Sequence, residues 1–491
     1  MSLEKLPVKI RNFSLLLGLA TLLAVVACKP AASDLTPIAA VSNATPTRLA
    51  LDGPPPTATP TATVTPVPVL SSTATQPGIT PSPLPTRTPI ALQASTTLVT
   101  PLPSPLPVLP DSPETDVFLL IGTDAPTLAR ITRTDAILLV AVHRTGGAVT
   151  LLSIPRDLYV AIPTRGMDRI NTAFAHGEQT GYPGGGAALL RDTIAYNLGI
   201  HAPIYARIDF SGFETLIDAL GGVEVTVPCA LQDWALKPGG NPANEDDWAM
   251  LTLPAGVHQL DGRTALWYVR SRRTSTDLDR GRRQQDVLRA IGEAARRAGW
   301  LEAVPGLWEL FTRYVDTNLT LDQALTLAPL ALTLDISQIN RRLFLRDEHY
   351  RSWTTPGGEA VLLPIGDAVA ALAADFLTSP TANQLVLRDV RVAILNHSGQ
   401  PGMARIAAYH LAWNGLPATY DDSGGGSTRT DTVIYDLTGR QKDSPLAALQ
   451  SLLDVDDAHV ITRPDPNRTI DFRVELGSDY DPCIYPVLPP R

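Results

Sequence analysis

The chain has 491 residues, 44% of them apolar, which is enough material for two packed cores. Its net charge of −9 excludes a general nucleic-acid binder, which spreads a basic excess over one face, so no nucleic-acid partner is expected. Any anionic ligand must be held by a local basic cluster.

The N-terminus carries Lys5, Lys9 and Arg11 ahead of an apolar run from Phe13 to Ala27, shorter than the ~20 residues a membrane-spanning helix needs. Residues 1–27 therefore read as an export signal. The run ends Leu23-Ala24-Val25-Val26-Ala27-Cys28, with a small residue directly before the cysteine, and resembles the lipobox of bacterial lipoproteins. The mature chain would then begin at a diacylated Cys28, lipid-anchored to the membrane on its extracytoplasmic side. The alternative is an uncleaved short membrane anchor, which also leaves the globular part outside the cytoplasm. Residues 28–113 are crowded with Pro and Thr, as in Pro54-Pro55-Pro56-Thr57-Ala58-Thr59-Pro60. They bury too little apolar surface to offset chain entropy, so a long disordered linker is expected. Apart from Cys28, only Cys229 and Cys483 remain. Export permits a disulfide, but one pair so far apart in sequence gives little reason to expect it.

Order is expected from about Asp116, in a first domain over residues 114–378. The runs Val117 to Gly122 and Ala136 to Val142 are continuously apolar, as in strands buried on both faces, and Gly146-Gly147 turns the chain into a third strand, Val149 to Ile154. Ala187 to Leu198 and Phe213 to Leu220 have helical spacing, and Gly221-Gly222 stops the second before a strand at Val223 to Val227. Ala265 to Arg270 reads as a strand, and Arg280 to Ala298 as an amphipathic helix with Asp279 as its cap. A second, smaller α/β domain is expected over residues 386–491. Its elements are a strand at Val390 to Leu395, a turn at Gly399 to Gly402, a helix from Met403 to Trp413, a strand at Thr432 to Tyr435, a helix from Ser444 to Leu453, and Val460-Ile461-Thr462.

The chemistry-bearing residues are grouped. Arg133-Thr134-Asp135 stands immediately before a strand, where residues two apart in extended chain share a face. Ser153-Ile154-Pro155-Arg156-Asp157 puts another Arg and Asp at the end of a neighbouring strand, and Val269-Arg270-Ser271-Arg272 repeats the spacing. Asp277-Leu278-Asp279-Arg280 opens a helix on which Arg280 and Gln284 lie one turn apart. Guanidinium groups hold phosphate oxygens in pairs and stay charged, so several converging arginines suit a pyrophosphate better than a sugar hydroxyl. Asp124 and Asp135 are hard oxygen donors of the kind Mg2+ prefers when it is shared with substrate phosphates.

These residues, with Gly122-Thr123-Asp124, Arg169-Ile170-Asn171-Thr172-Ala173, Asp209-Phe210-Ser211-Gly212-Phe213, Leu260-Asp261-Gly262-Arg263-Thr264-Ala265-Leu266 and Arg283-Gln284-Gln285, resemble the LytR-CpsA-Psr family of cell-wall glycopolymer ligases over roughly Thr115 to Asp375. The segment from Val392 onward is similar to the LytR C-terminal domain. The resemblance implies a mixed α-β-α sandwich with a hydrophobic slot for a polyprenyl tail and the pyrophosphate at its mouth. It implies that Asp124 and Asp135 hold Mg2+ (or Mn2+), and that Arg133, Arg156, Arg270, Arg272, Arg280 and Gln284 contact the pyrophosphate, with Asp277 orienting arginines or metal. Arg133, Asp135, Arg156, Arg270, Arg272 and Arg280 form the implied catalytic set. Two departures stand out. Ala125-Pro126 occupies the place where the family has an Arg two residues after the first Asp, and Asp279 replaces the family's Gly before Arg280.

The implied reaction moves a phosphorylated glycopolymer from a polyprenyl-pyrophosphate carrier to a sugar hydroxyl of peptidoglycan or another wall polymer, releasing polyprenyl phosphate. Two other readings use the same arginines: a binding protein that hands the lipid-linked glycan on, and a pyrophosphatase in which water replaces the acceptor. His143, His176, His201 and His258 lack metal-site spacing, which argues against a zinc hydrolase. Gly184-Gly185-Gly186 has no Walker Lys and reads as a flexible loop before a helix, and Gly424-Gly425-Gly426 as a mobile loop. Trp234 and Trp248 are either a glycan platform or buried loop anchors, and anchors are expected.

Overall fold

The continuously apolar runs form the centre of the main sheet. In the computed structural model, residues 103–483 are described apart from 125–130, 299–312, 380–386, 424–426, 440–443 and scattered positions between 321 and 335. β1 (Thr115–Thr123), β2 (Thr134–His143) and β3 (Ala148–Ser153) make the antiparallel meander that the Gly146-Gly147 turn predicts. Alternate residues serve opposite cores. Val117, Leu119, Ile121, Ile137 and Leu139 face one, and Phe118, Leu138, Val140 and Val142 the other, which is why these strands carry no polar alternation.

β4 (Tyr159–Ile162) and β5 (Gly166–Arg169) form a small hairpin before α1 (Ala173–Thr180) and α2 (Gly185–Leu198), which cover the first core. β6 (Ile204–Ile208) pairs parallel to β1. α3 (Phe210–Ala219) leads to β7 (Val223–Val227), and the hairpin of β8 (Leu231–Leu236) and β9 (Trp248–Leu253) precedes β10 (Gly256–Leu260), which pairs with β7. α4 (Gly262–Arg270) and α5 (Asp277–Arg297) pack on β7 and β10 through Ala265, Tyr268, Val269, Val287 and Ile291. β11 (Val315–Thr317) and β12 (Ile339–Leu343) close the two edges of the six-stranded sheet, and β13 (Tyr350–Thr354), β14 (Ala360–Pro364) and α6 (Gly366–Leu377) end the domain. With helices on both faces, this is the expected mixed sandwich.

The second domain has β15 (Val392–Asn396), α7 (Met403–Trp413), β16 (Ala418–Asp421), β17 (Val433–Asp436), α8 (Ser444–Leu453), β18 (Val460–Thr462) and β19 (Phe472–Leu476), with sheet order β16-β15-β19-β17-β18. Its centre is β19, which pairs parallel to β15 and antiparallel to β17.

Several expectations need correction. Ala265 to Arg270 is helix rather than strand: Asp261 caps it by accepting from the Thr264 N–H at 2.7 Å, and Ala265, Tyr268 and Val269 are buried with the i, i+3, i+4 spacing of one helical face. Helix α5 starts at Asp277 with Thr276 as its cap, and Asp279 is the reciprocal partner in the first turn of a capping box. Gly184 to Gly186 is a tight junction rather than a flexible loop, because a Cβ on Gly186 would stand 2.4 Å from the Phe174 carbonyl oxygen where α1 and α2 meet. Ordered chain begins inside the expected linker, where the Leu106 and Leu109 N–H groups bond to the Tyr196 and Gly199 carbonyls. Cys229 and Cys483 are joined in a disulfide, since the fold brings their Cα atoms to 5.0 Å. Trp234 and Trp248 are exposed rather than buried, because both stand on the open face of the β8–β9 hairpin. Cys28, Ala125, Pro126 and Gly424 to Gly426 lie outside the described residues.

Candidate active site

Because β1 and β2 are antiparallel, the end of one lies beside the start of the other. The Asp124 N–H donates to the Arg133 carbonyl at 3.3 Å, and the Thr132 hydroxyl donates to Asp124 Oδ1 at 2.6 Å. Asp135, near the start of β2, meets the chain leaving β3: Arg156 Nη1 lies 2.5 Å from Asp135 Oδ1, and its Nε lies 3.3 Å from Asp157 Oδ2. Asp157 pairs in turn with Arg169 at 3.6 Å, and Arg169 with Glu359 at 3.6 Å. The side chains of Asp135, Arg156, Asp157 and Arg169 are each only about a fifth exposed. Such pairs are screened less than surface ion pairs, and they hold Arg156 in one orientation. Arg169 was not among the expected site residues, although its motif contains it. Glu359 lies outside every motif.

The third group is carried by α4. Arg270 is its last residue, and the guanidinium carbon lies 4.1 Å from the centre of the Phe210 ring. Arg270 keeps exposed surface, yet enough protein crowds it that burial pulls its pKa below the usual value. Asp135 and Asp124 oppose that shift, and Arg272 reinforces it. The exposed Arg270 guanidinium is open to a ligand, and an arginine so shifted remains charged. Thus the end of α4 brings Arg270 into the field of both predicted metal-binding carboxylates.

Two side chains hold the turn after Arg270. Buried Arg283, on α5, donates to the carbonyls of Tyr268 (2.9 Å) and Ser271 and to the Ser275 hydroxyl. From the other side, Asp233 of β8 accepts from the Ser271 hydroxyl at 2.7 Å and from the Arg272 and Arg273 N–H groups at 2.8 and 3.2 Å. Burial works against ionisation of Asp233, but these bonds and the Trp234 N–H outweigh it and hold its pKa below the usual carboxylate value. No sequence motif marks Asp233, which stands far upstream of the turn it holds.

Helix α5 completes the site. Arg280 and Gln284 line a cavity with Asp135, Ser153, Pro155 and Tyr350, and Gln285 Nε2 anchors the helix to β3 through Ser153 Oγ at 2.9 Å. Ile154, Leu278, Leu343 and Phe344 complete its lining on the apolar side. Asp279 is occupied by the capping box and by Arg282 at 3.1 Å, so its carboxylate is turned into the helix end rather than left to oppose an anion. Asp277 opens α5, but its side chain lies outside the described residues.

The structure thus brings Asp135, Arg156, Arg270, Arg280 and Gln284 together. Arg133 and Arg272 stay at the exposed rim, where among the described residues neither guanidinium has a protein partner. For a metal, among the described residues no three acidic, His or Cys side chains cluster. Asp124 and Asp135 each have one oxygen engaged and one free among the described residues. That donor set fits Mg2+, which takes one or two carboxylates and fills its shell with water and substrate phosphate oxygens.

The LytR_cpsA_psr family model matches residues 100–351, and a second, described as LytR cell envelope-related transcriptional attenuator, matches residues 389–480. The chain is 33% identical over 220 residues to the polyisoprenyl-teichoic acid–peptidoglycan teichoic acid transferase TagT of Bacillus subtilis (strain 168), which covers 44% of this chain and 64% of that protein. It is 38% identical over 170 residues to the probable cell wall biosynthesis protein LcpB of Corynebacterium glutamicum, covering 34% and 36%. These matches span less than two thirds of the relatives' own lengths. Among solved structures, one of TagT bound to LI-WTA aligns with 54% of this chain and 90% of its own at 27% identity and a TM-score of 0.41. Among the described residues no helix is long and apolar enough to cross a membrane.

Proposed function

The chain belongs to the LytR-CpsA-Psr family, whose model covers just over half of its length, and on that premise we propose that it transfers a phosphorylated glycopolymer from a polyprenyl-pyrophosphate carrier to a sugar hydroxyl of the cell wall. The observation that carries this is the convergence of Arg156, Arg270 and Arg280 on Asp135 at the end of the meander. Fixed cations at one carboxylate suit a ligand with two phosphates and a divalent ion between them. The similarity to TagT, a polyisoprenyl-teichoic acid–peptidoglycan teichoic acid transferase, supports the same substrate class.

In this reading the acceptor hydroxyl oxygen bonds to the phosphorus that bears the glycan. The bond from that phosphorus to the bridging oxygen breaks, and polyprenyl phosphate leaves with the bridging oxygen and its negative charge. Arg156 and Arg270 stabilise charge on the transferring phosphoryl group, and Arg280 with Gln284 holds the leaving phosphate. Asp124 and Asp135 would hold Mg2+, which would neutralise phosphate oxygens. The acceptor's proton passes to a carboxylate or to water. A lipidated Cys28 would tether the enzyme outside the cytoplasm, within reach of lipid-linked donor and wall acceptor alike.

The test is to incubate purified protein with a polyprenyl-pyrophosphate glycan, Mg2+ and wall acceptor. Covalently joined glycan with release of polyprenyl phosphate is the expected product. Lipid release without joining would instead assign a pyrophosphatase, and binding without either would assign a carrier.

A further inference from the structure

The β8–β9 hairpin, which holds the Ser271–Arg273 turn through Asp233, carries exposed apolar side chains. Its register pairs Gln232 with Thr252, Trp234 with Met250, and Leu236 with Trp248, so these six side chains share one face. Trp234 is 53% exposed, Trp248 37% and Met250 36%, a concentration that marks an interaction surface rather than scattered surface residues. The face is held in shape. Gln232 Nε2 donates to Thr252 Oγ1 at 3.0 Å, the Trp248 indole N–H donates to the Pro242 carbonyl at 3.2 Å, and the Trp267 indole N–H donates to the Trp234 carbonyl at 3.1 Å. With its N–H used inside the hairpin, Trp248 offers a partner its ring and not its polar tip.

We infer that this face is the acceptor subsite, on which the pyranose rings of a wall glycan strand stack against Trp234 and Trp248; the inference rests on the transfer reading above. Three observations select this occupant. The patch is continuous with the site: Asp233, on the same strand, binds the backbone of Arg272 and Arg273, and Arg273 Nη1 lies 2.9 Å from Met250 Sδ. A strand seated here is held at a fixed distance from the phosphoryl group, which is what a bimolecular transfer gains most from. None of the six side chains that make up the face is charged, and Arg273 only borders it at Met250, so its centre fits the uncharged C–H face of a sugar ring better than the phosphates of the donor. The segment joining the two strands carries Glu245, Asp246 and Asp247, which repel an anionic lipid surface and argue against membrane insertion.

The test uses the full chain and the Trp234→Ala/Trp248→Ala double variant, with soluble uncrosslinked peptidoglycan strands as the probe. Calorimetry should show strand affinity falling on the order of tenfold or more, with affinity for the polyprenyl-pyrophosphate donor unchanged and most of the loss restored by Phe at both positions. In the joining assay, the acceptor concentration for half-maximal rate should rise in parallel. Equal strand affinity in wild type and double variant overturns the subsite, and so does a loss confined to anionic lipid vesicles. The two readings fail separately. Strand binding lost in the variant, with no joined product from wild type, keeps the subsite and removes the transfer reading; joined product with unchanged acceptor dependence in the variant does the reverse.

Discussion

Replacing Asp233 should slow the enzyme although the residue reaches no substrate. Its carboxylate accepts three hydrogen bonds from the Ser271–Arg273 turn, and Ala removes all three. Because the group is half-buried and water replaces part of what is lost, each is worth about 1 kcal/mol. Arg283 still grips the Ser271 carbonyl from beneath, so the turn loosens without unfolding, and a net loss of about 2 kcal/mol in its order is the reasonable figure. If Arg270 and Arg272 act only in the held geometry, Asp233→Ala lowers turnover by roughly 30-fold. Asp233→Asn, which keeps one accepting oxygen and loses the charge, should fall between that variant and wild type. The assay is joining of labelled glycan at saturating donor and acceptor, with thermal unfolding as the control for global stability. Turnover within twofold of wild type in Asp233→Ala, with the unfolding midpoint unchanged, would refute the claim that Asp233 positions the arginines.

Arg156→Ala and Arg270→Ala should each lower the transfer rate on the order of 10² to 10³, read in the same assay, and near-normal rates in both folded variants would remove them from the site. Arg283→Met should lower stability by about 3 kcal/mol, because it leaves the Tyr268 and Ser271 carbonyls without their buried donor; a denaturant midpoint measures it. Peptide mapping without reductant should recover Cys229 linked to Cys483, and reductant should lower the thermal midpoint, since the bridge closes a loop of 254 residues; two free thiols would refute the bridge. Asp471 gives a pH signature in the second domain. Burial opposes its ionisation, but bonds from Arg391 and Arg468 outweigh it and bring its pKa down to about 2. A carboxylate whose folded pKa lies below its unfolded value near ~4 stabilises fully above that value and loses the contribution as pH falls toward 2. The thermal midpoint should therefore drop over that window, and less so in Asp471→Asn.

What the sequence disclosed depended on how local the cause was. β1, β2 and β3 were legible because burial on both faces leaves a continuous apolar run with a Gly turn. α4 was misread for a related reason: five consecutive residues from Ala265 to Val269 include only apolar side chains, and the helical register shows only once Asp261 is recognised as a cap. β19, at the centre of the second sheet, is five residues with two charges, Arg473 and Glu475, and carries too short an alternation to stand out. Within the site, the arginines were legible because their spacing is local. Asp233 and Glu359 were not, since each acquires its role only when the fold brings a distant strand to the turn or to Arg169. The exposure of Trp234 and Trp248 was hidden for the same reason, as nothing in the chain between them says whether the hairpin face is covered.

Helix α5 links these observations to the second domain. Its first turns carry Arg280 and Gln284, and further along Asp286 and Arg289 are buried against α7. Tyr409 donates its hydroxyl to Asp286 at 2.7 Å, Arg341 of β12 pairs with the same carboxylate, and the guanidinium carbons of Arg289 and Arg341 lie 4.3 and 3.8 Å from the centres of the Tyr409 and Trp413 rings. Tyr409 is partly buried, and burial drives its pKa upward, so it stays a neutral donor at any physiological pH. A buried carboxylate shared by a tyrosine and an arginine is costly to break and specific in geometry. Arg405 of α7 adds a pair with Glu224 of β7, and the disulfide ties the chain after β19 to the segment after β7. The helix that carries Arg280 and Gln284 is therefore held along its outer half by the second domain. Removing that domain would expose Asp286, Arg289 and Arg341 without their aromatic cover, and the loss would reach Arg280 through the helix itself.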